Sequence, residues 1–141
     1  MTVCIDTGVL YADHDLDASR HDAASRALEA VFDGEFGHPY VSDYIYDEAV
    51  TLKRGQAFTP AQQIGEKIRG VDPYPQIYEL LRVSAAVFAD AVEMFEQYDD
   101  QALRFTDATT VALCRRHNID AVMSFDDDFD GIVERIDPTT V

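Results

Sequence analysis

The stretch Val3-Cys4-Ile5-Asp6 opens the first regular element of the chain with three apolar residues and closes it on an acid. Its apolar residues do not alternate with polar ones, which is typical of a short strand buried on both faces of a parallel sheet. A second run, Ala121-Val122-Met123-Ser124-Phe125, is also followed by an acid, Asp126. Because open parallel sheets have their sites beyond the carboxyl ends of the strands, both acids are expected at one edge.

Short strands that alternate with helices indicate parallel strands joined by helical crossovers. We therefore predict a single α/β domain over residues 1–141, with helices on both faces of a short, mostly parallel sheet. The predicted helix N-caps are Ser19, Ser42, Thr59 and Thr106, whose side-chain oxygens can accept backbone N–H groups. Besides the two runs above, strands are predicted at residues 40–41, 77–83 and 132–136, and helices at 19–32, 43–54, 59–69, 84–98 and 106–117.

The formal charge of −16 arises from 27 acids against 11 lysines and arginines, and the only lysines are Lys53 and Lys67. The acids are spread along the whole chain, which favours adaptation to high salt, where screening reduces their mutual repulsion. The alternative is an acidic surface that attracts cations or repels acidic ligands. At low salt this charge argues against broad electrostatic contact with nucleic acid, an objection that weakens in strong brine.

Neither the cysteines nor the apolar segments indicate secretion or a membrane. Cys4 and Cys114 form no CxxC motif and lie in apolar runs, as expected of small buried side chains in a reducing cytosol. The N-terminus lacks a basic segment and Asp6 interrupts its apolar stretch, so no signal peptide is predicted. No window approaches the roughly 20 apolar residues of a membrane span. We expect a soluble, cytoplasmic protein.

Four acids lie in apolar surroundings, where an unpaired carboxylate costs several kcal/mol. Asp6 and Asp126 end apolar strands, and Asp107 begins an apolar helix. Glu48 shares a predicted buried helix face with Leu52. Oxygen ligands without histidine or cysteine nearby suit Mg²⁺ or Mn²⁺, which can activate water and stabilise charge on a phosphate. The four acids therefore indicate metal-assisted phosphodiester hydrolysis.

Four short motifs contain these acids. They are Ile5-Asp6-Thr7-Gly8-Val9-Leu10-Tyr11-Ala12, Ser42-Asp43-Tyr44 with Asp47-Glu48, Phe105-Thr106-Asp107-Ala108, and Ser124-Phe125-Asp126-Asp127-Asp128-Phe129. In order, spacing and context they resemble the motifs of PIN-domain nucleases over nearly the whole chain, with the closest likeness to VapC-type toxins. The resemblance implies a compact α/β/α fold, an Mg²⁺- or Mn²⁺-dependent endoribonuclease, a homodimer and a neutralising antitoxin.

Carried over residue by residue, the resemblance makes Asp6 and Asp107 direct metal ligands. Glu48 and Asp126 would complete the acidic cluster through waters or a second metal. Two neighbouring acids compete with Asp126 for the fourth position, and of these Asp128 is taken as its support.

The same resemblance implies roles near the site for further side chains. Thr7 and Thr106 match hydroxyl positions beside the first and third acids, and His21 matches a position that often carries histidine. RNA-binding members of the family commonly have a more basic surface than this chain. The candidates for contact with RNA phosphates are Arg54, Arg104, Arg115 and Arg116.

Other interpretations stay open at this point. Residues 126–137 also fit a calcium loop of the EF-hand kind, with acids at its positions one, three, five and twelve and Gly131 at six. A strand before this segment and Pro138 after it do not suit the flanking helices of an EF-hand. A second alternative is a PIN-like fold that binds RNA or a partner without catalysis. An aspartyl-nucleophile phosphatase is disfavoured because Gly8 stands where its second acid would be.

Overall fold

A five-stranded sheet forms the centre of the protein, and a computed structural model describes residues 1–141. Its strands are β1 (Thr2–Ile5), β2 (His38–Ser42), β3 (Glu79–Leu81), β4 (Ala121–Met123) and β5 (Arg135–Ile136). They lie in the order β3-β2-β1-β4-β5, and each neighbouring pair is parallel. The sheet that the sequence predicts to be mostly parallel is therefore entirely so.

Six α-helices surround the sheet. They are α1 (Thr7–His14), α2 (His21–Phe32), α3 (Asp43–Arg54), α4 (Phe58–Arg69), α5 (Ala85–Gln97) and α6 (Phe105–His117). The chain moves from β1 to β3 in one direction and returns to β4 through α5 and α6. Because parallel crossovers are right-handed, this reversal places α5 and α6 on the face opposite the other helices. None of the six has the length and apolar character that a membrane crossing requires.

The central strand β1 is buried on both faces, which explains its unbroken apolar sequence. It pairs with β2 on one side and with β4 on the other, where Ile5 lies opposite Met123. Since both pairings are parallel, the carboxyl ends of β1 and β4 meet at one edge of the sheet. The acids that follow these strands, Asp6 and Asp126, are thereby brought to the same edge.

Of the four predicted N-caps, one is confirmed and three are wrong. The hydroxyl of Ser42 accepts the backbone N–H of Ile45 at 3.0 Å and caps α3. Ser19 does not cap α2, which begins at His21. The backbone N–H of His21 donates to the carbonyl of Ala18 at 3.0 Å, and this turn keeps Ser19 outside the helix.

Two predicted threonine caps lie inside their helices instead. Helix α4 starts one residue before Thr59, and α6 starts one residue before Thr106. At α6 the carboxylate of Asp107 accepts the backbone N–H of Arg104 at 3.1 Å. An acid of the predicted cluster thus stabilises the start of α6, where the sequence predicts a threonine cap.

The predicted buried face of α3 is wrong at Leu52, which is 52% exposed. The neighbouring Lys53 is buried in its place, with its ammonium 3.6 Å from the carboxylate of Asp15 and 4.2 Å from the ring centroid of Tyr11. An ion pair and an aromatic face together offset the cost of burying this charge. The buried face of α3 thus keeps Ile45 and Ala49 and takes in Lys53 in place of Leu52.

The two cysteines are free and buried, as predicted. The fold brings Cys4 on β1 into contact with Cys114 on α6, a proximity that their sequence positions do not reveal. A hydrogen bond with Cys114, reinforced by burial, raises the pKa of Cys4 well above its usual value. The thiol therefore stays protonated and unreactive.

Replacing the buried cap, Ser42→Ala, should lower the free energy of unfolding by about 1–2 kcal/mol, because the N–H of Ile45 loses its acceptor. The matched control is Ser19→Ala, which removes the hydroxyl of an exposed serine without a capping contact and should change stability by less than about 0.5 kcal/mol. Urea unfolding checks both values. Equal losses in the two variants would contradict the capping assignment.

Candidate metal-binding site

A buried serine links the first and fourth predicted acids at the carboxyl edge of the sheet. The hydroxyl of Ser124 donates to Oδ2 of Asp6 at 2.6 Å and accepts the backbone N–H of Asp126 at 2.9 Å. The backbone N–H of Asp6 also donates to the carbonyl of Met123 at 3.0 Å, which extends the pairing of β1 with β4. The sequence analysis does not single out Ser124; its only signal is a polar residue within an apolar run.

Helix α6 brings Asp107 to the same region. Its side chain is almost completely buried, and its Oδ2 atom accepts the backbone N–H of Arg104. Burial is the main reason why the pKa of Asp107 is raised to about 6, and the negative charges of Asp6 and Asp126 raise it further. Because these charges act on one another, the three aspartates form a cluster rather than separate surface groups.

Asp6 and Glu48 complete the set of four. Burial raises the pKa of Asp6, the hydrogen bond from Ser124 lowers it, and the charges of Glu48 and Asp126 raise it. Glu48 is half-buried on α3, and its charge also acts on Arg104. The structure therefore gathers all four predicted acids in one region. Their roles as ligands and catalytic groups stay predictions.

Each aspartate of the cluster is oriented by a hydrogen bond to one of its oxygens. Asp6 accepts from Ser124, and Asp107 accepts from the backbone of Arg104. Asp126 accepts at Oδ1 from the backbone N–H two residues further on, at 2.9 Å. Since a carboxylate is planar, fixing one oxygen limits where the second can lie. The protein thus fixes the orientation of these carboxylates through its own hydrogen bonds.

Arg104 is the cation closest to the cluster. Its Nε atom lies 3.6 Å from Oδ2 of Asp107, and its Nη2 atom lies 3.9 Å from Oδ2 of Asp126. These contacts are long, and 64% of its side chain is exposed. One solvated arginine leaves most of the negative charge of four acids uncompensated.

Three consecutive aspartates follow β4, and Asp126 is the one with contacts to the other residues of the cluster. The carboxylates of Asp126, Asp127 and Asp128 offer oxygens within 4.8 Å of one another. Asp127 is exposed, and the pKa of Asp128 is raised chiefly by a hydrogen bond with Asp126. Among the three, Asp126 is the one that contacts Ser124 and pairs with Arg104. Asp128 contacts Asp126 through its backbone N–H, and its supporting role stays a prediction.

A cavity of about 420 Å³ opens at this edge of the sheet. Asp6, Ser124 and Asp126 line it together with two arginines, Arg104 and Arg20. Arg20 escapes sequence analysis because it lies between α1 and α2 outside any recognisable motif. Of the four arginines predicted to contact RNA phosphates, only Arg104 borders this cavity.

The other three candidate arginines are engaged or lie elsewhere. Arg116 pairs with Asp90 at 2.8 Å, and the guanidinium of Arg54 lies 5.8 Å from the ring centroid of Phe58. Arg115 occupies the last turn of α6, roughly 12 Å along the helix axis from the cluster at its first turn. A sequence shows a positive charge but not which end of a helix faces the site.

The hydroxyl and histidine positions taken from the resemblance have different surroundings. Thr7 is buried beside Asp6, and its Oγ1 atom has no hydrogen-bond partner in the protein. Thr106 is half-buried, and its carbonyl accepts the hydroxyl of Thr109 at 2.6 Å. The ring of His21 bonds to a backbone carbonyl of α1, so it joins α1 to α2.

The segment proposed as a calcium loop does not have the helix–loop–helix form of an EF-hand. It runs from strand β4 through a short 3₁₀ helix, Asp127–Phe129, to strand β5. Asp130 is bound by the guanidinium of Arg135 at 2.7 and 3.2 Å. Asp137 accepts the backbone N–H and the hydroxyl of Thr139 at 2.9 and 2.8 Å. Two of the acids required for the loop are therefore committed to protein groups.

The residues of the cluster fit a hard divalent cation. Asp6 and Asp107 are 5% and 1% exposed, so their negative charges destabilise the fold unless a cation compensates them. All donors are oxygens, which Mg²⁺ and Mn²⁺ prefer, and the unpartnered hydroxyl of Thr7 lies next to the first of them. The roles of Asp6 and Asp107 as direct metal ligands stay predictions that rest on the resemblance.

Without metal, Asp107→Asn should stabilise the protein. Asparagine can still accept the N–H of Arg104, and it removes a buried charge. The pKa of about 6 means that the ionised side chain costs the fold up to about 3 kcal/mol at pH 7. The wild-type protein should therefore be relatively more stable below pH 4, and should lose this advantage as the pH rises through 6.

Thermal unfolding in EDTA at several pH values checks this prediction. The matched control is Asp22→Asn, which neutralises an exposed aspartate in the first turn of α2 and should be neutral or slightly destabilising. A loss of stability in Asp107→Asn at pH 7 would show that the carboxylate is not strained by burial.

Comparison with known proteins supports the architecture and places the chain in a family. Among solved structures, the sarcin-ricin loop cleaving toxin VapC20 of Mycobacterium tuberculosis has a TM-score of 0.80 at 24% identity, covering 94% of this chain and 97% of that one. VapBC2 of Rickettsia felis, bound to a promoter DNA fragment, has a TM-score of 0.70 at 11% identity, covering 96% and 98%.

A third similar structure is a toxin–antitoxin complex from Klebsiella pneumoniae, with a TM-score of 0.66 at 19% identity, covering 96% of this chain and 97% of that one. These likenesses show the fold. No curated protein sequence matches the chain significantly. The PIN domain family matches residues 3–134, which is nearly the whole sequence. With its parallel sheet and its acidic edge, this chain belongs to the PIN domain family.

Proposed function

We propose that the protein is an Mg²⁺- or Mn²⁺-dependent endoribonuclease that hydrolyses RNA phosphodiester bonds, the toxin of a type II toxin–antitoxin pair. The observation that carries this proposal is the meeting of Asp6, Asp107 and Asp126, from three separate elements, with one exposed arginine nearby. The similar structures support it, because they include a toxin that cleaves the sarcin-ricin loop and a toxin–antitoxin complex.

In this proposal Asp6 and Asp107 hold the metal, and Glu48 and Asp126 complete the cluster through waters or a second ion. The bound ion supplies Lewis acidity for the attack of water on a phosphodiester. Ser124 orients Asp6 through the 2.6 Å hydrogen bond, so that this ligand does not have to be ordered when the substrate arrives.

Arg104 has a different task in the proposed reaction. Its guanidinium borders the cavity and is mostly exposed, so its N–H groups can turn from the long contacts with the aspartates to a phosphate. An arginine there would bind the substrate and offset the repulsion between RNA and the acidic cluster.

The decisive test is RNA cleavage by Asp6→Asn and Asp107→Asn in the presence of Mg²⁺ or Mn²⁺. Both variants should lose more than about a hundredfold in rate, because asparagine keeps the hydrogen bonds but is a poor metal ligand. EDTA should abolish cleavage by the wild-type protein. The matched control Asp33→Asn changes an exposed aspartate after α2 and should cleave normally. Unchanged cleavage in either site variant, or in EDTA, would exclude the mechanism.

Calorimetric titration separates this proposal from its alternatives. The proposal requires that the wild-type protein binds Mn²⁺ and that Asp6→Asn does not. A PIN-like protein that binds RNA or a partner without catalysis would show no binding of Mn²⁺ at the Asp6 cluster. A calcium-binding loop would instead give Ca²⁺ binding that survives Asp6→Asn and is lost in Asp130→Ala.

We also propose an antitoxin partner and a homodimer. The similar structures support a partner, since one is a toxin–antitoxin complex. Large apolar side chains are exposed where α3 meets α4, at Leu52 and Phe58, and along α5, at Phe88 and Phe95. Co-expression with the product of the neighbouring reading frame should yield a stable complex. Light scattering should give about twice the chain mass of 15.8 kDa, and a monomer mass would contradict the homodimer.

The charge of −16 leads us to propose adaptation to high salt. Screening would reduce the repulsion between surface acids, while the buried cluster would be screened much less. The midpoint of thermal unfolding should therefore rise steadily from about 0.1 M to about 2 M KCl. A midpoint that does not depend on KCl would contradict salt adaptation.

A further inference from the structure

Arg20 is an exposed arginine at the edge of the acidic cavity. It precedes α2 at the N-cap position, where its side chain makes no capping hydrogen bond. It lines the cavity together with Arg104, Asp6 and Asp126. None of the ion pairs of the protein involves Arg20, whereas Arg104 is shared between two aspartates. Arg20 is therefore the cavity cation that no acid holds.

The side chain of Arg20 is nevertheless positioned. Its guanidinium carbon lies 4.8 Å from the ring centroid of Phe125. Phe125 lies between Ser124 and Asp126 in the chain. The hydroxyl of Ser124 donates to the carboxylate of Asp6 and accepts the backbone N–H of Asp126. The loop that orients the acids thus also orients this arginine. The contact with the ring uses none of the N–H donors of Arg20 in an ion pair, so these donors are available to a ligand.

The position of Arg20 matters for RNA binding because the acidic protein repels RNA phosphates. A phosphate approaching the protein is repelled by a net charge of −16, and the cavity itself contains Asp6, Asp126 and Asp127. The two arginines at the cavity are the groups that can reverse this repulsion locally. An RNA strand that passes both arginines can bring one phosphodiester to the acids while its neighbouring phosphate forms an ion pair with an arginine.

We propose that Arg20, held by Phe125, binds a phosphate of the RNA strand next to the phosphodiester that is cleaved. The inference rests on the proposed function and adds to it the path of the substrate, between Arg20 and Arg104. Arg20 is then a positioning residue. Its loss should weaken the binding of RNA and raise KM while kcat changes little, because it contacts a phosphate that does not react.

The test compares Arg20→Ala with Arg26→Ala, the matched control. Arg26 is an exposed arginine on α2, and it lines a different groove beside Val141. Both changes are made in the Asp6→Asn background, and a fluorescein-labelled single-stranded RNA is titrated over a series of KCl concentrations with anisotropy as the readout. Arg20→Ala should weaken binding roughly five- to tenfold and reduce the slope of log affinity against log salt by about 0.7. Arg26→Ala should change the affinity by less than about twofold.

Two further variants separate phosphate binding from a structural role. Phe125→Leu should weaken RNA binding by a smaller factor, and adding it to Arg20→Ala should cause little further loss, because the ring acts through the arginine. Arg20→Lys should keep the salt dependence and lose part of the affinity, since an ammonium lacks the planar set of N–H donors of a guanidinium. A structural role for Arg20 would instead lower the midpoint of thermal unfolding and leave the salt slope unchanged.

The outcomes distinguish this inference from the proposed function. If the wild-type protein cleaves RNA and Arg20→Ala matches Arg26→Ala in affinity and salt slope, the inference is overturned and the nuclease stands. If no RNA is cleaved with Mg²⁺ or Mn²⁺ but binding still depends on Arg20, the nuclease proposal fails and the phosphate contact stands. An equally large loss of RNA affinity in both arginine variants would show that only the total charge matters, and it would also overturn the inference.

Discussion

The hydrogen bond from Ser124 to Asp6 is the contact on which the acidic site depends. It crosses between the carboxyl ends of β1 and β4, which are paired in parallel, and it supplies a donor to a carboxylate that is 5% exposed. Without that donor the buried charge of Asp6 would be more costly, and its orientation would be free. The same hydroxyl accepts the N–H of Asp126, so one side chain fixes two acids.

Burying a carboxylate lowers the stability of a protein, and in this acidic chain the buried carboxylates are gathered at the site. Most of the 27 acids can remain hydrated, whereas Asp6 and Asp107 are held away from water beside other negative charges. Asp107 also makes the backbone contact that begins α6, so one residue combines a structural contact with a proposed ligand role. Such an arrangement lowers the stability of the fold when no cation is bound, and it provides a preformed set of oxygen donors. Arg104 relieves only part of this cost from its exposed position.

Much of the fold follows from the sequence, because apolar runs that do not alternate require a strand covered on both faces. The parallel sheet and the buried cysteines are confirmed on these grounds. Details that depend on competition between neighbouring groups are wrong: Ser19 lies outside α2, and Leu52 is exposed because Lys53 finds partners inside. Local patterns identify which groups can cap a helix or enter a core, but the partners they meet decide which ones do.

The sequence by itself determined the class of the fold and singled out four acids, because each stands within or next to an apolar stretch of the chain. Only the tertiary structure decided how those acids are held and where a substrate can approach. Ser124 and Asp6 are 118 positions apart, and Arg20 meets Phe125 across a similar separation, so no local pattern encodes either contact. Conversely, Arg115 and Arg116 carry a positive charge but lie in the last turn of α6, whereas Asp107 lies in its first turn. Charge is a property of the residue, whereas a site requires the direction and distance that chain folding supplies.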